Sequence, residues 1–210
     1  MPDAHHWYRR KEKKLMKKKD TVIQRLCILL GIGLILVSTV TFAAWRWNII
    51  DSEKKAEGYV STLQSLIPKP SDAPLEERRD NTMSVLPVDG TDFVGLIEIP
   101  RYGSLLPVGA EWGNVSKYPC RLNGSIYNGT IQIGATTQKG QYDFYRELSV
   151  GDTVAYVDME GNRYTFEITS LRYEKHADVK ALTREEAQLT LFIKNIYSFE
   201  YLIVFCNVQH

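Results

Sequence analysis

The residues of this chain that could do chemistry are few. Cys120 and Cys206 follow an apolar N-terminal stretch, which itself contains Cys27. A thiolate is a good nucleophile when its surroundings lower the pKa of the thiol. The histidines of the C-terminal part are His176 and His210, and no Cys/His spacing matches a zinc site. We therefore expect no metal and no cofactor, and a lone His176 is most simply a solvated surface residue.

Other reactive patterns are absent from the sequence. It contains no Gly-rich phosphate loop, no G-x-S-x-G nucleophile motif and no distinctive pair of carboxylates. The acids Asp158, Glu160, Glu185 and Glu186 are expected on a solvated surface. Cys120 and Cys206 leave two alternatives open, one disulfide or two buried thiols, because the sequence does not give the distance between their Cα atoms.

Charge divides the chain into two different parts. Residues 1–25 carry nine Lys or Arg against three acids, whereas the remaining chain carries 17 basic and 22 acidic residues. A basic cluster can bind nucleic acid, but here it precedes an uncharged run of 20 residues, from Leu26 to Trp45. That length suffices for a helix to cross a hydrocarbon core of about 30 Å. We predict a cytoplasmic tail (1–25), a transmembrane helix (26–47) and no nucleic-acid partner.

The basic block also predicts the orientation of the chain. Positive charge marks the cytoplasmic side, and Trp45 and Trp47 suit the opposite interface. We expect a single-pass protein of the cell membrane with its C-terminal domain outside. The alternative is a cleaved signal peptide, for which Ala43 and Ala44 provide only a weak cleavage site.

Residues 48–84 are predicted to form a stalk helix and a proline-rich linker. Apolar residues such as Tyr59, Leu63 and Ile67 recur at helical spacing, and Ser52 is a plausible N-cap. Prolines at 68, 70 and 74 then favour an extended linker. We expect this segment to hold the following domain away from the bilayer.

From residue 85 onward, short apolar runs alternate with turns, which is typical of a β-protein. A turn at 158–162 predicts a hairpin, and residues 180–188 are predicted to be helical. The predicted strands are 93–99, 104–108, 130–133, 154–157, 164–169, 189–193 and 201–205. Strands of this number and length indicate a mainly β domain, a closed or nearly closed barrel with short helices over residues 85–208.

Five segments of this domain resemble sortases, the membrane-anchored cysteine transpeptidases of Gram-positive bacteria. Residues 95–100 (GLIEIP), followed by 106–108 (LPV), are similar to the opening strands of that family. Residues 144–154 (FYRELSVGDTV) resemble its helix-to-strand element. Residues 189–192 (LTLF) and 201–204 (YLIV) resemble the strands that carry the catalytic cysteine and arginine. The resemblance covers residues 85–208 and implies a sortase-like β-barrel.

The resemblance also implies a catalytic histidine, cysteine and arginine, and all three are replaced. Ala135 follows Gly134 where the family has histidine, Lys194 stands at the cysteine position, and Tyr201 at the arginine position. Alanine cannot transfer a proton. Lysine attacks a carbonyl only when it is neutral, and it would form a stable amide instead of a reactive thioester. Tyrosine lacks the charged fork of arginine. Alternation along the last strand places Cys206 on the opposite face from Tyr201.

We therefore expect a catalytically inactive sortase-like protein outside the membrane. Its expected partner is a sorting-signal peptide, a pilin or an active sortase, in surface-protein or pilus assembly. A variant is that Lys194 serves as an acyl acceptor for an active sortase. The alternatives are an active cysteine transpeptidase or hydrolase with displaced catalytic residues, and a membrane-tethered scaffold without a peptide site.

Overall fold

The computed structural model describes residues 4–72, 81–175, 187–198 and 200–208. The chain divides into two compact units, Met1–Asn48 and Ile49–His210. Helix α1 extends from Ala4 to Leu66 and contributes to both. Within the described residues, its stretch Gln24–Trp47 is long and apolar enough to cross a membrane. The predicted apolar helix is thus confirmed.

Within the described residues, the second unit beyond α1 consists of short strands, 3₁₀ helices and the turns that join them. Its 3₁₀ helices are Pro100–Tyr102, Trp112–Asn114 and Ile126–Asn128. The strands are β1 (Ser71–Asp72), β2 (Leu86–Val88), β3 (Thr91–Ile99), β4 (Ser104–Gly109), β5 (Cys120–Asn123), β6 (Ile131–Thr136), β7 (Thr153–Asp158), β8 (Asn162–Glu174), β9 (Leu189–Lys194) and β10 (Tyr201–Val208).

Eight of these strands close into a barrel. The neighbours follow the order β8-β10-β9-β6-β5-β4-β3, and β7 pairs with both β3 and β8 to complete the ring. β6 and β9 are parallel, and so are β4 and β5. Outside the ring, β1 pairs with β8 and β2 with β3. This arrangement confirms the predicted mainly β barrel.

Alternate residues of the strands fill the barrel interior. Interior positions on three neighbouring strands are each exposed by 1% or less: Ile131, Ile133 and Ala135 on β6, Leu189, Leu191 and Ile193 on β9, and Leu202, Val204 and Cys206 on β10. The period of two is the expected consequence of side chains pointing to opposite faces of a strand.

Two sequence predictions for this region differ from the structure. β8 extends to Glu174, five residues beyond the predicted end, because Leu171 continues the apolar face while polar residues occupy the other. Residues 143–147, at the start of the segment that resembles a helix-to-strand element, form a turn instead of a helix, with the N–H of Tyr145 donating to the carbonyl of Tyr142 at 3.1 Å. The helix predicted over 180–188 falls mainly on residues 180–186, which lie outside the described residues, as do His176, Glu185, Glu186 and His210.

The prediction that Asp158 is a solvated acid is wrong. Its side chain is buried, and Oδ1 accepts the backbone N–H groups of Glu160 and Asn162, both at 2.9 Å. Oδ2 accepts from Nδ2 of Asn162 at 2.8 Å. A turn leaves backbone donors without a strand partner, and an aspartate side chain can satisfy them. Glu160 is exposed and accepts a hydrogen bond from the hydroxyl of Ser84.

The predicted stalk is helical but packs on the barrel. Leu63 is completely buried and Ile67 is 7% exposed, in an apolar cluster with Phe93, Leu96 and Val157 on the outer side of the barrel wall. The apolar face of this helix segment is thus covered by the strands of its own unit.

Two further contacts define this packing. The ring of Tyr59 lies 5.0 Å from that of Phe93 and 5.9 Å from that of Tyr118.

Ser52 lies inside α1 and is not its N-cap, because no proline or glycine between Trp45 and Glu57 interrupts the helix.

The segment after the helix also stays on the barrel. The N–H of Ser71 donates to the carbonyl of Gly161 at 3.0 Å, and β1 pairs with Asn162 and Arg163 in parallel. Gly161 is required here because a Cβ would lie 2.9 Å from the carbonyl oxygen of Pro68. The linker therefore begins as part of the sheet, at the β7–β8 turn.

Asp152 joins the start of β7 to the 3₁₀ turn after β3. Its carboxylate accepts from Arg101 at 2.6 Å, from the hydroxyl of Tyr102 at 3.1 Å and from the N–H of Ser149 at 2.9 Å. Burial opposes ionisation, but the hydrogen bonds from Arg101, Ser149 and Tyr102 outweigh it, so the pKa of Asp152 lies below its usual value.

We expect Leu63→Ala to lower the free energy of unfolding of the barrel unit by about 2–5 kcal/mol, because it leaves a cavity under the helix. The matched control is Leu66→Ala, since Leu66 lies on the same helix and is 56% exposed. Denaturant unfolding of the full chain in detergent measures both. Equal effects would contradict the packing of this helix on the barrel.

We expect Asp152→Asn to lower stability at pH 7 by about 1–3 kcal/mol, the scale of lost hydrogen bonds to a charged group. Because the folded-state pKa is depressed, the ionised carboxylate stabilises the fold above the unfolded-state pKa. That contribution is lost as the pH falls through the folded-state pKa. Melting curves at several pH values should therefore converge in acid. Asp143→Asn is the control, since Asp143 is exposed. A stability difference between Asp152→Asn and the unchanged protein that stays the same at every pH would contradict a lowered pKa for Asp152.

Candidate functional site

The positions that match the sortase catalytic residues lie on three adjacent strands. In the parallel pair β6–β9, Thr136 is opposite Lys194 and Ala135 is opposite Ile193. In the antiparallel pair β9–β10, Lys194 is opposite Tyr201. The fold therefore brings Ala135, Lys194 and Tyr201 to the same end of these strands.

Their side chains do not share one face. Lys194 and Tyr201 alternate with the interior residues Ile193 and Leu202, so both point to the outside of the barrel. Ala135 is 1% exposed and belongs to the interior core. A larger side chain at Ala135 would therefore enter the core and would not approach Lys194.

A small apolar cluster lies next to Lys194 and Tyr201 on the outer face. Phe192, Ile203 and Phe205 form this outer-face cluster, and they are at most 4% exposed. The guanidinium of Arg172, on β8, lies 5.2 Å from the centre of the Phe205 ring, a cation–π distance. Arg172 pairs in register with Ile203, so it points to this same face.

Trp112 covers the neighbouring part of β6. Its ring lies so close to Gly134 that a Cβ there would be 2.0 Å from the nearest ring atom, so only glycine fits. Gln141 fixes the loop that carries Trp112. Its Nε2 donates to the carbonyl of Val115 at 3.2 Å, and its Oε1 accepts from the N–H of Thr136 at 3.1 Å.

The end of β9 is held by buried polar residues. Oδ1 of Asn195 accepts the N–H groups of Tyr197 and Ser198, and its Nδ2 donates to the hydroxyl of Tyr145 at 2.7 Å. The carbonyl of Lys194 accepts from the N–H of Thr137 at 3.0 Å. The backbone at Lys194 is therefore fixed, while its side chain is exposed.

Sequence reasoning missed Trp112 and Arg172. The period of two through Phe166 and Ile168 would point Arg172 into the barrel, but Thr169 is an extra residue opposite β10 that reverses the phase and turns Arg172 outward. No sequence signal indicated Trp112, since its contact with Gly134 joins the loop after β4 to β6.

Both cysteines of the barrel unit are free and completely buried. The side chain of Cys206 points into the interior core, whereas that of Tyr201, on the same strand, points outward, as predicted. Cys120 lies in the apolar cluster between the helix and the barrel wall. The sequence left open whether these cysteines form one disulfide or remain two buried thiols, and the structure has two buried thiols. Burial raises the pKa of Cys120 to about 11 and that of Cys206 far above its usual value, which disfavours the nucleophilic thiolate.

The arrangement suits hydrogen bonding better than acyl transfer. Lys194 and Tyr201 place an ammonium and a phenol on neighbouring strands, and both can donate to a carbonyl or carboxylate. Within the described part of the chain, neither cysteine faces this site and no histidine lies in it. The geometry thus provides donors beside an apolar cluster.

Comparison with known proteins finds sortases among solved structures. Sortase C1 from Streptococcus suis has 16% identity and a TM-score of 0.48, over 56% of this chain and 73% of that chain. Sortase A from Corynebacterium diphtheriae has 14% identity and a TM-score of 0.49, over 77% and 84%. For sortase C-1 from Actinomyces oris the values are 17% and 0.48, over 77% and 99%. No protein-family model and no curated protein matches the chain.

We expect Cys120 and Cys206 to resist an aromatic disulfide reagent at pH 8 in the native full chain, because burial blocks access and raises both pKa values. A Cys27→Ser background removes the third thiol. Both cysteines should react once the protein is unfolded in guanidinium, which serves as the positive control. Rapid labelling of either one in the native protein would favour the displaced-residue enzyme instead.

Proposed function

We propose that this chain is a catalytically inactive sortase-like protein that binds an extended peptide beside Lys194 and Tyr201. The observation that carries the proposal is the register of β9 and β10, which sets these two residues opposite each other at the positions matching the family's cysteine and arginine. The sequence motifs of β3, β4, β9 and β10 support the family assignment.

The absence of turnover follows from the side chains. A sortase reaction needs a thiolate that forms a thioester and a group that exchanges protons. Lys194 would give an amide, from which the acyl group cannot be passed on easily, and Ala135 lies in the core without any titratable group. The two thiols of this unit are buried in other parts of the barrel.

Peptide binding follows from the remaining features of the outer face. Trp112 and Tyr201 supply the accessible aromatic surface, since both are at least partly exposed whereas the outer-face cluster itself is buried. Lys194 and Tyr201 can donate to peptide carbonyls, and an extended peptide exposes carbonyls on both edges. Apolar contacts and a few fixed donors are the usual composition of a recognition site.

The proposed setting is the outer face of a cell membrane. The apolar stretch Gln24–Trp47 would anchor the chain, and the basic residues before it favour a cytoplasmic N-terminus. A sorting-signal peptide, a pilin or an active sortase that exposes such a segment is the proposed partner. The protein would then retain or present a substrate in surface-protein or pilus assembly.

The test uses the full chain in detergent, a pooled library of Leu-Pro-x-Thr-Gly peptides and an amine nucleophile, followed by mass spectrometry. We expect no cleavage and no adduct on Lys194, but retention of one peptide class on the protein. Tyr201→Ala should weaken retention about tenfold, as loss of an aromatic contact residue does.

Tyr173→Ala is the matched control, because Tyr173 is an exposed tyrosine on the neighbouring strand and pairs with the interior residue Leu202. Cleavage that survives Lys194→Ala and disappears with Cys120→Ser or Cys206→Ser would make the protein an enzyme. Absence of both cleavage and retention, beside an active sortase as positive control, would favour a scaffold.

A further inference from the structure

The connection between β5 and β6 contains the same reactive dipeptide twice. Asn123 is followed by Gly124, and Asn128 is followed by Gly129. In such a pair, the backbone nitrogen of the glycine can attack the side-chain amide carbon of the asparagine, which forms a succinimide ring and expels ammonia. Glycine favours this attack because it has no Cβ to shield its nitrogen. The two copies present one chemistry in two different environments.

The second copy is restrained by hydrogen bonds. The N–H of Gly129 donates to the carbonyl of Ile126 at 3.2 Å, at the end of the 3₁₀ helix Ile126–Asn128. Oδ1 of Asn128 accepts from the hydroxyl of Thr130 at 2.6 Å. The glycine nitrogen attacks only after it loses its proton, and the bond to the carbonyl retains that proton. Both hydrogen bonds must therefore open before Asn128 can react.

The first copy lacks these restraints. Asn123 is the last residue of β5 and is exposed, and Gly124 follows the strand with a φ of +72°. The N–H of Thr130 donates to the carbonyl of Ser125 at 3.2 Å, so alternation along this antiparallel connection directs the N–H of Gly124 away from β6. Within the described part of the chain, no acceptor is hydrogen-bonded to that N–H.

We propose that Asn123 is a site of spontaneous deamidation. The nitrogen of Gly124 bonds to Cγ of Asn123, and the amide nitrogen leaves as ammonia with the proton released by Gly124. Water then opens the succinimide. Cleavage of the bond between nitrogen and Cγ gives aspartate, and cleavage of the original peptide bond gives isoaspartate. Water is the only co-reactant. The site does not involve Lys194 or Tyr201, so the inference goes beyond the proposed function and does not depend on it.

The conversion changes charge and backbone length beside the outer-face cluster. Asn123 pairs in register with Gln132, whose Oε1 is buried and accepts no hydrogen bond from the described residues. A carboxylate opposite this oxygen adds negative charge and cannot donate to it. Leu122, the preceding residue, packs against the outer-face cluster, and isoaspartate lengthens the backbone next to it. We expect the converted protein to melt at a lower temperature.

The test incubates the full chain in detergent at pH 8 and samples it over time by trypsin digestion and mass spectrometry. Cleavage after Arg121 and Lys139 leaves both asparagines in one peptide, and fragment ions between them assign the mass increase. In the native protein, Asn123 should deamidate at least about tenfold faster than Asn128, because two hydrogen bonds must open at Asn128. In guanidinium, the two rates should become similar.

Variants separate the restraint from the dipeptide. Thr130→Val removes the hydroxyl that bonds Asn128 and should speed deamidation of Asn128 several-fold, by about the strength of one hydrogen bond, without changing the rate at Asn123. Asn123→Gln should abolish the modification at this position and keep the melting temperature. Asn123→Asp, which carries the charge of the product, should lower the melting temperature.

Two results would overturn the proposed site. One is equal deamidation of both asparagines in the native protein, and the other is an unchanged Asn123 over a period in which the unfolded chain deamidates. Equal melting temperatures for Asn123→Asp and Asn123→Gln would contradict the expected effect of the charge on the fold.

Discussion

The parallel pairing of β6 with β9 is the interaction on which the candidate site depends. Its register joins residues 131–136 to 189–194, and both strands bury every second side chain in the barrel. A slip of one residue would turn Ile193 outward and Lys194 into the core, where an ammonium is costly without a charged partner. Core packing thus determines which face Lys194 occupies and places it beside Tyr201.

The same packing explains where the side chains of Ala135 and Cys206 lie. Ala135 and Cys206 both belong to the interior core, so they are filled by small side chains that suit a packed barrel. Only Lys194 and Tyr201 face outward, and both can donate hydrogen bonds. In the function we propose, these two polar side chains bind a peptide, while proton transfer and thioester formation would need groups that neither residue has.

Much of the barrel could be predicted because its strands follow a period of two and end at turn residues. Strand β8 was underestimated because Thr169 is an extra residue opposite β10, so the period of two breaks between Ile168 and Leu171. Asp158 was misjudged because residue type does not reveal whether a carboxylate accepts the N–H groups of its own turn. The packing of Leu63 on the barrel, and that of Trp112 on Gly134, join residues far apart in sequence, and local patterns carry no information on such contacts.

Docking of the helix segment also bears on how the barrel wall can stay incomplete. A barrel normally protects its strand edges by closing them, yet β4 meets β5 at one residue pair. The helix supplies apolar cover for β3 and for Leu105 on the outer side of the wall, but a helix has no free backbone groups along its length to offer a strand. Cover by side chains, which leaves Leu106 and Val108 buried, therefore stabilises this part of the wall without backbone pairing between strands.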